Sequence, residues 1–358
     1  MCVKHRAKIT FIVPFILIPA IFFKIIAVAA LLSWSFSAAE ARRMRIDLAE
    51  EARGTVSEAK LIHDLSFLAD SVCAGRATGS AGSIEAATWI ARRFAKLGLK
   101  PIGQGYTHNF KVSSTLVGRN VIGLLKGNDA ARSKGYIIIA AAYDGLGIIA
   151  GKRYPGADSN ASGVVAMLSM AGMMSISRDL GRSYGTDVIF VALDAKYQRL
   201  AGSAALWDEI CSRSLTDPST GRAISRGDIK VMVNIDQIGS TLSPVRPGRS
   251  DYMLMLSGGF GIKEMEQGNK SKGTGLDLSY TYYGSRDFTN AFYNKIGDHR
   301  IFVENRVPAV LFTSGITMNN NKTTDTVESL DAGILKRRIY LMWNWLERIA
   351  VVREDKMI

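Results

Sequence analysis

The 358-residue sequence contains only three cysteines and four histidines. Cys2 lies ahead of the first apolar run, and Cys73 and Cys211 are too far apart to form a metal knuckle. A disulfide framework is excluded. The two later cysteines make one bridge in an oxidising compartment or remain free, and free buried thiols are the expectation. The histidines, His5, His63, His108 and His299, form no clustered ligand motif. Acids are short as well, 32 against 45 basic residues, for a formal net charge of +13. Clusters such as Arg92 with Arg93, or Lys336, Arg337 and Arg338, are not interleaved with aromatics as in a nucleic-acid module. A solvated basic surface and no nucleic-acid partner are expected. Repeats and low-complexity tracts are missing, and a 47% hydrophobic composition suffices for a real core.

Long apolar runs occur at the start. Lys4, Arg6 and Lys8 precede the run from Thr10 to Phe23, Lys24 interrupts, and a second run, Ile25 to Leu32, leads to the small residues Ser37, Ala38, Ala39 and Ala41. That order is the pattern of an export signal. Neither run alone reaches the roughly 20 residues of a comfortable membrane span. Residues 1–41 are therefore expected to be a cleaved signal peptide, with an uncleaved membrane anchor through residues 10–36 as the alternative. Either way the chain is expected in the periplasm or outside the cell. Residues 42–56 read as a linker, 57–352 as the folded domain and 353–358 as a tail.

Within that domain, Leu61, Leu65 and Leu68 mark one amphipathic helix, and Ala87, Ile90, Phe94 and Leu97 mark a second. Apolar runs at 120–125, 136–142, 187–193, 230–235 and 308–312 read as strands, several apolar throughout as in a sheet covered on both faces. Helical stretches at 161–174, 203–212, 288–295 and 331–352 fall between and after them. The fold class expected is α/β: a three-layer α/β/α sandwich with a mostly parallel, mixed central sheet. Residues 243–284, rich in Gly, Ser and Lys, read as an insertion over one edge.

Three of these strands each deliver an aspartate, Asp144, Asp194 and Asp236, to the carboxyl end of the sheet, where ligands of open α/β folds bind. The loop "PGADSNASG" places Asp158 and Ser159 before a helix. Any one of these acids could be a cap, but four together need a neutralising cation.

Here the sequence resembles the exported zinc exopeptidases that include bacterial leucyl aminopeptidases, aminopeptidase Y and the glutamate carboxypeptidase catalytic domain. The resemblance runs from about Ser57 to Ala350 and rests on "AAYDGLG", "PGADSNASGVVAML", "LDAKYQRLAGS", "VNIDQIG", "GDHRIF", "VPAVLFTSG" and "NNKTTDT", in order. It implies two zinc ions on five ligands, with a glutamate as general base. Residue by residue, it puts the bridging aspartate on Asp158 and another ligand on Asp236. The remaining ligand positions fall on Ala142, Tyr197 and Asn321, and the general base on Lys196. Ala142 has no lone pair to give, and an ammonium donates without accepting. At about 4 Å and an effective dielectric of ~20, Lys196 would repel a divalent ion by roughly 8 kcal/mol.

We therefore expect no catalytic residue and no metal: Asp158 and Asp236 are vestiges, and the ammonium of Lys196 pairs with Asp158, Asp236 or Asp144. Asp144, Asp194, Ser159, Asp298 and His299 are expected to line a pocket, where Asp144 and Asp298 would attract an amine. The expected partners are peptides or protein amino termini, with no cofactor. The competing expectation is a hydrolase that keeps zinc through an altered or single-metal site.

Overall fold

Runs of Val, Ile and Ala form the middle of the molecule because such side chains pack on a pleated surface buried on both faces. The computed structural model describes residues 49–128, 135–240, 251–271 and 274–351. The leader, residues 42–48 of the expected linker and the tail lie outside them. Strands β1 (Lys100–Pro101), β2 (Thr107–Lys111), β3 (Val117–Leu125) and β4 (Tyr136–Ala142) are followed by a small hairpin, β5 (Gly147–Ile149) with β6 (Lys152–Tyr154). Then come β7 (Asp187–Leu193), β8 (Ile229–Ile235), β9 (Tyr252–Leu256), β10 (Asp277–Ser279) and β11 (Ala309–Thr313).

The large sheet has the order β1-β3-β7-β4-β8-β11-β9-β10, with β2 also on β3. Its centre, β7-β4-β8-β11, is parallel, whereas β3 on β7 and β9 on β11 run antiparallel. The expected mixed, mostly parallel sheet is present. All seven residues of both β4 and β7 are buried.

Helices α1 (Glu58–Ala69), α2 (Ala81–Lys96), α3 (Ser162–Asp179), α4 (Ala201–Cys211), α5 (Ile262–Asn269), α6 (Arg286–Lys295), α7 (Arg300–Glu304) and α8 (Ala332–Ala350) flank it. Side chains alternate across a strand, so Ile138 and Ala140 of β4 share one core with Leu206 and Trp207 of α4 and Phe302 of α7. The opposite face is covered by α3, which packs on β4, β8 and α8. Helix α3 is apolar nearly all round, as a helix enclosed on every side must be.

Three expectations change. Residues 51–56 belong to the folded unit: Ala52 and Val56 are buried, and the Tyr340 hydroxyl donates to the carbonyls of Arg53 and Val56. The segment read as an insertion over one edge of the sheet instead continues the sheet at that edge, since β9 pairs with β11 on one side and β10 on the other. Parts of that segment, 241–250 and 272–273, lie outside the described residues. Cys73 is a buried free thiol, pushed up to about 11 by burial, whereas Cys211 is free and exposed.

Candidate functional site

The register fixes what reaches the rim. Ala142 lies opposite Leu193, and Ala140 opposite Asn234, so β4, β7 and β8 end side by side and release Asp144, Asp194 and Asp236 along one edge. The three carboxylates then diverge in role. Asp194 accepts from Thr78 Oγ1 at 2.9 Å and from the backbone N–H groups of Ala195 at 2.7 Å and Arg119 at 2.9 Å. It clamps the loop. Asp144 accepts from the Tyr197 N–H at 3.3 Å through Oδ2, and its Oδ1 has no partner among the described residues. Burial, with the charge of Asp194, pushes it up to about 7. Asp236 receives Lys196 Nζ at 2.6 Å.

The loop between β4 and α3 is set by Gly156, whose φ of 60° is followed by a tight turn in which an added Cβ would meet Ser159 O at 2.6 Å. This turn separates two neighbouring side chains. Asp158 points toward the β8–β9 connection: it accepts from Ser162 Oγ at 3.0 Å, from Gly239 N at 2.8 Å and from Ser240 Oγ. Behind it lies the fully buried Arg338, which donates to the carbonyls of Ile238, Ser240 and Tyr252. The charge of Asp158 is the leading influence that opposes the loss of proton affinity that burial causes in this guanidinium. Arg338 is thus a core cation and not part of a solvated cluster.

Ser159 faces the other way. Its Oγ lies 3.3 Å from the Tyr197 hydroxyl and accepts from Gln237 Nε2 at 3.3 Å. The Ser159–Asn160 peptide is cis. Asp325 fixes the turn, accepting from the N–H groups of Asp158 at 2.7 Å and Ser159 at 3.0 Å. Burial pushes Asp325 up to about 6.

Lys196, Tyr197 and Asn321 come together. The Tyr197 hydroxyl donates to Asn321 Oδ1 at 2.6 Å, and Gln237 Nε2 donates to Asn320 Oδ1 at 2.6 Å. These residues, with Ser159 and Asp236, line a cleft of about 160 Å³ whose walls also include Phe292 and Leu311. Burial disfavours the Lys196 ammonium, but the charge and hydrogen bond of Asp236 win and its pKa lies above the usual lysine value. Ala142 is buried, and its carbonyl accepts from Asn160 Nδ2.

Asp298 and His299 are in place but enclosed. Among the described residues no donor is in hydrogen-bonding position on the carboxylate of Asp298, and the nearby Ser203 hydroxyl donates to Leu200 O. Burial pushes Asp298 up to about 6 even though the Lys196 charge acts the other way. His299 Nε2 donates to Tyr293 O at 2.7 Å, and burial lowers the ring to about 4, so it is neutral. Asp144, Asp194, Asp298 and His299 therefore support the cleft from behind and do not line it.

Sequence reasoning passed over Gln237, Ser240, Asn320 and Asp325. Gln237 stands inside the motif "VNIDQIG", and Asn320 and Asp325 inside "NNKTTDT", which was the available signal. Ser240 carried none.

The model of the family "Peptidase family M28" matches residues 120–346. The chain belongs to this family. No curated protein matches it by sequence. Among solved structures, LapB from Legionella pneumophila is similar at a TM-score of 0.64 and 16% identity, over 85% of this chain and 75% of that one. BSAP, a zinc aminopeptidase from Bacillus subtilis, gives 0.61 and 12%, over 84% and 96%. A glutaminyl cyclase from Macrostomum lignano gives 0.62 and 15%, over 86% and 93%. One M28 scaffold therefore serves more than one named activity, and the side chains of the cleft must carry the functional argument.

Proposed function

We propose that this protein is an exported, catalytically inactive member of family M28 that binds peptides without cleaving them. The observation that carries this reading is the 2.6 Å contact between Lys196 Nζ and Asp236 Oδ2. A zinc site needs three or four nitrogen, sulfur or carboxylate donors converging on one point. The cleft offers one carboxylate, already bonded to an ammonium, and otherwise a serine, a threonine, a phenol and amides. That set does not fit a zinc pair.

The geometry also bears on the bridging position. A bridging ligand must reach the side chains at the neighbouring ligand positions, Tyr197 and Asn321. Ser159 contacts Tyr197, whereas all the hydrogen bonds of Asp158 lead away from the cleft. In our reading Ser159, not Asp158, occupies that position, which leaves Asp236 as the single surviving carboxylate ligand. Lys196 then takes over part of the charge compensation that metal would provide.

Elemental analysis of the purified protein, with and without added zinc, tests the proposal beside release of aminoacyl fluorophores. We expect zinc well below one ion per chain and no release. Stoichiometric zinc with hydrolysis would establish the competing metal-dependent hydrolase. Mass spectrometry of the mature amino terminus tests export with cleavage near Ala41.

A further inference from the structure

A second and larger cavity, about 590 Å³, adjoins the cleft and shares Lys196, Tyr197 and Ile296 with it. Its charge is opposite to what an amine-binding pocket requires. Lys196, Arg199, Lys295 and Arg300 all line it, against the single carboxylate of Glu304. Glu304 is already engaged by Arg300 Nε at 2.7 Å, and Lys196 by Asp236. Arg199 and Lys295 have no carboxylate partner among the described residues. Apolar surface from Leu200, Ala204 and Ile301 completes the walls.

Arg199 is placed there against the preference of the backbone. It has φ 60°, and Leu200 after it has φ 61°, a region that glycine enters freely and other residues seldom do. The loop is pinned in this path by bonds from Leu200 N to Lys196 O and from Ala201 N to Ala195 O. A glycine would satisfy the same path without strain. Unfavourable backbone geometry retained with a long cationic side chain at the wall of a cavity points to a use for that side chain.

We propose that this cavity is an anion site that takes the carboxylates of an acidic peptide, held by Arg199 and Lys295, while apolar side chains of the peptide lie on Leu200 and Ile301. The inference rests on the peptide-binding reading and reverses the polarity of the end recognised: a carboxylate, not an amino terminus. An extended peptide can pass from the cavity to the cleft because their walls are continuous at Lys196, Tyr197 and Ile296.

The test is calorimetric titration of the full-length chain with acetyl-Leu-Glu-Glu-Leu, with the same peptide carrying a terminal amide, and with acetyl-Leu-Gln-Gln-Leu-amide. The fully acidic peptide should bind at least tenfold tighter than the neutral one, and the advantage should shrink in 0.5 M salt. The terminal amide shows whether a side-chain or terminal carboxylate is read. Lys295→Ala and Arg199→Gly should each weaken acidic binding about tenfold, the loss of one charge-assisted contact. Arg199→Gly should at the same time melt no lower than the parent, which a merely structural arginine would not permit. Equal binding of acidic and neutral peptides, binding of neither, or undiminished binding by Arg199→Gly overturns the proposal. Cleavage of unblocked Leu-Glu-Glu-Leu would overturn the inactive-enzyme reading instead, leaving the comparison of acid with amide intact.

Discussion

Lys196→Met removes the cleft's ammonium while keeping a long unbranched side chain. Lys196 and Asp236 are largely buried, at 16% and 11% side-chain exposure, and Asp236 Oδ1 has no hydrogen-bond partner among the described residues. Removing one member of such a pair leaves the other charge uncompensated, at a cost of about 3 kcal/mol or somewhat more. For a domain of this size that is a fall in melting temperature of about 5 °C or more. The fall should depend on pH with a definite sign. Asp298 is held at about 6 partly by the opposing Lys196 charge, so the variant raises it further. A carboxyl whose folded-state pKa lies above its unfolded value binds more protons in the native state. Its destabilisation is therefore absent at low pH and grows as pH rises toward the folded pKa. Melting followed by tryptophan fluorescence should show a smaller difference between parent and variant near pH 4 than at pH 8. A loss under about 1 °C at pH 8, or one that does not vary with pH, would refute the claim that this ammonium balances the rim.

Asp158→Ala should destabilise by roughly 3 kcal/mol, since it strips three donors and exposes Arg338 to an uncompensated interior, yet leave peptide binding unchanged in calorimetry. Asp144→Asn keeps an acceptor for the Tyr197 N–H and removes a carboxyl raised to about 7. The variant should gain stability over the parent as pH rises from about 4 to 7 and keep that gain above 7, readable as a widening gap in melting temperature. Converting Ala142→His, Lys196→Glu, Tyr197→Glu and Asn321→His together should yield a chain that holds zinc incompletely. Adding Ser159→Asp should raise the stoichiometry toward two, and equal zinc in the two variants would return the bridging role to Asp158.

Much of this architecture could be read in advance because the signals were strong and local. Strands Tyr136–Ala142 and Asp187–Leu193 were legible to the residue, since continuous apolar runs end abruptly in charge. Helix α3 extends five residues beyond the apolar run, to Asp179, because a buried face carries polar residues with it once backbone bonds propagate. Residues 51–56 were misjudged because few apolar side chains there announce burial, and the contacts that hold them come from Tyr340, almost 300 positions away. The site was legible in membership and less so in orientation. A sequence motif places Asp158 and Ser159 on one turn, but which of the two faces the cleft depends on Gly156, Ser240 and Asp325 acting together. No one-dimensional pattern encodes that division.

Among the described residues, each acid of the rim is provided for separately. Asp194 is satisfied by three donors, Asp158 by three donors with Arg338 behind it, and Asp236 by Lys196. Asp144 and Asp298, which lack such partners, have proton affinities raised toward neutrality and can meet the cost of burial by taking up a proton. Each carboxyl has its own local solution. A metal ion entering this cleft would have to break one of them, displacing Lys196 from Asp236 and gaining in return only neutral oxygens from Ser159, Tyr197 and Asn321. On the proposed reading the ligand positions and the lysine are thus coupled: with an ammonium on Asp236, restoring any single ligand position brings a metal no closer, and only their joint reversal changes the balance.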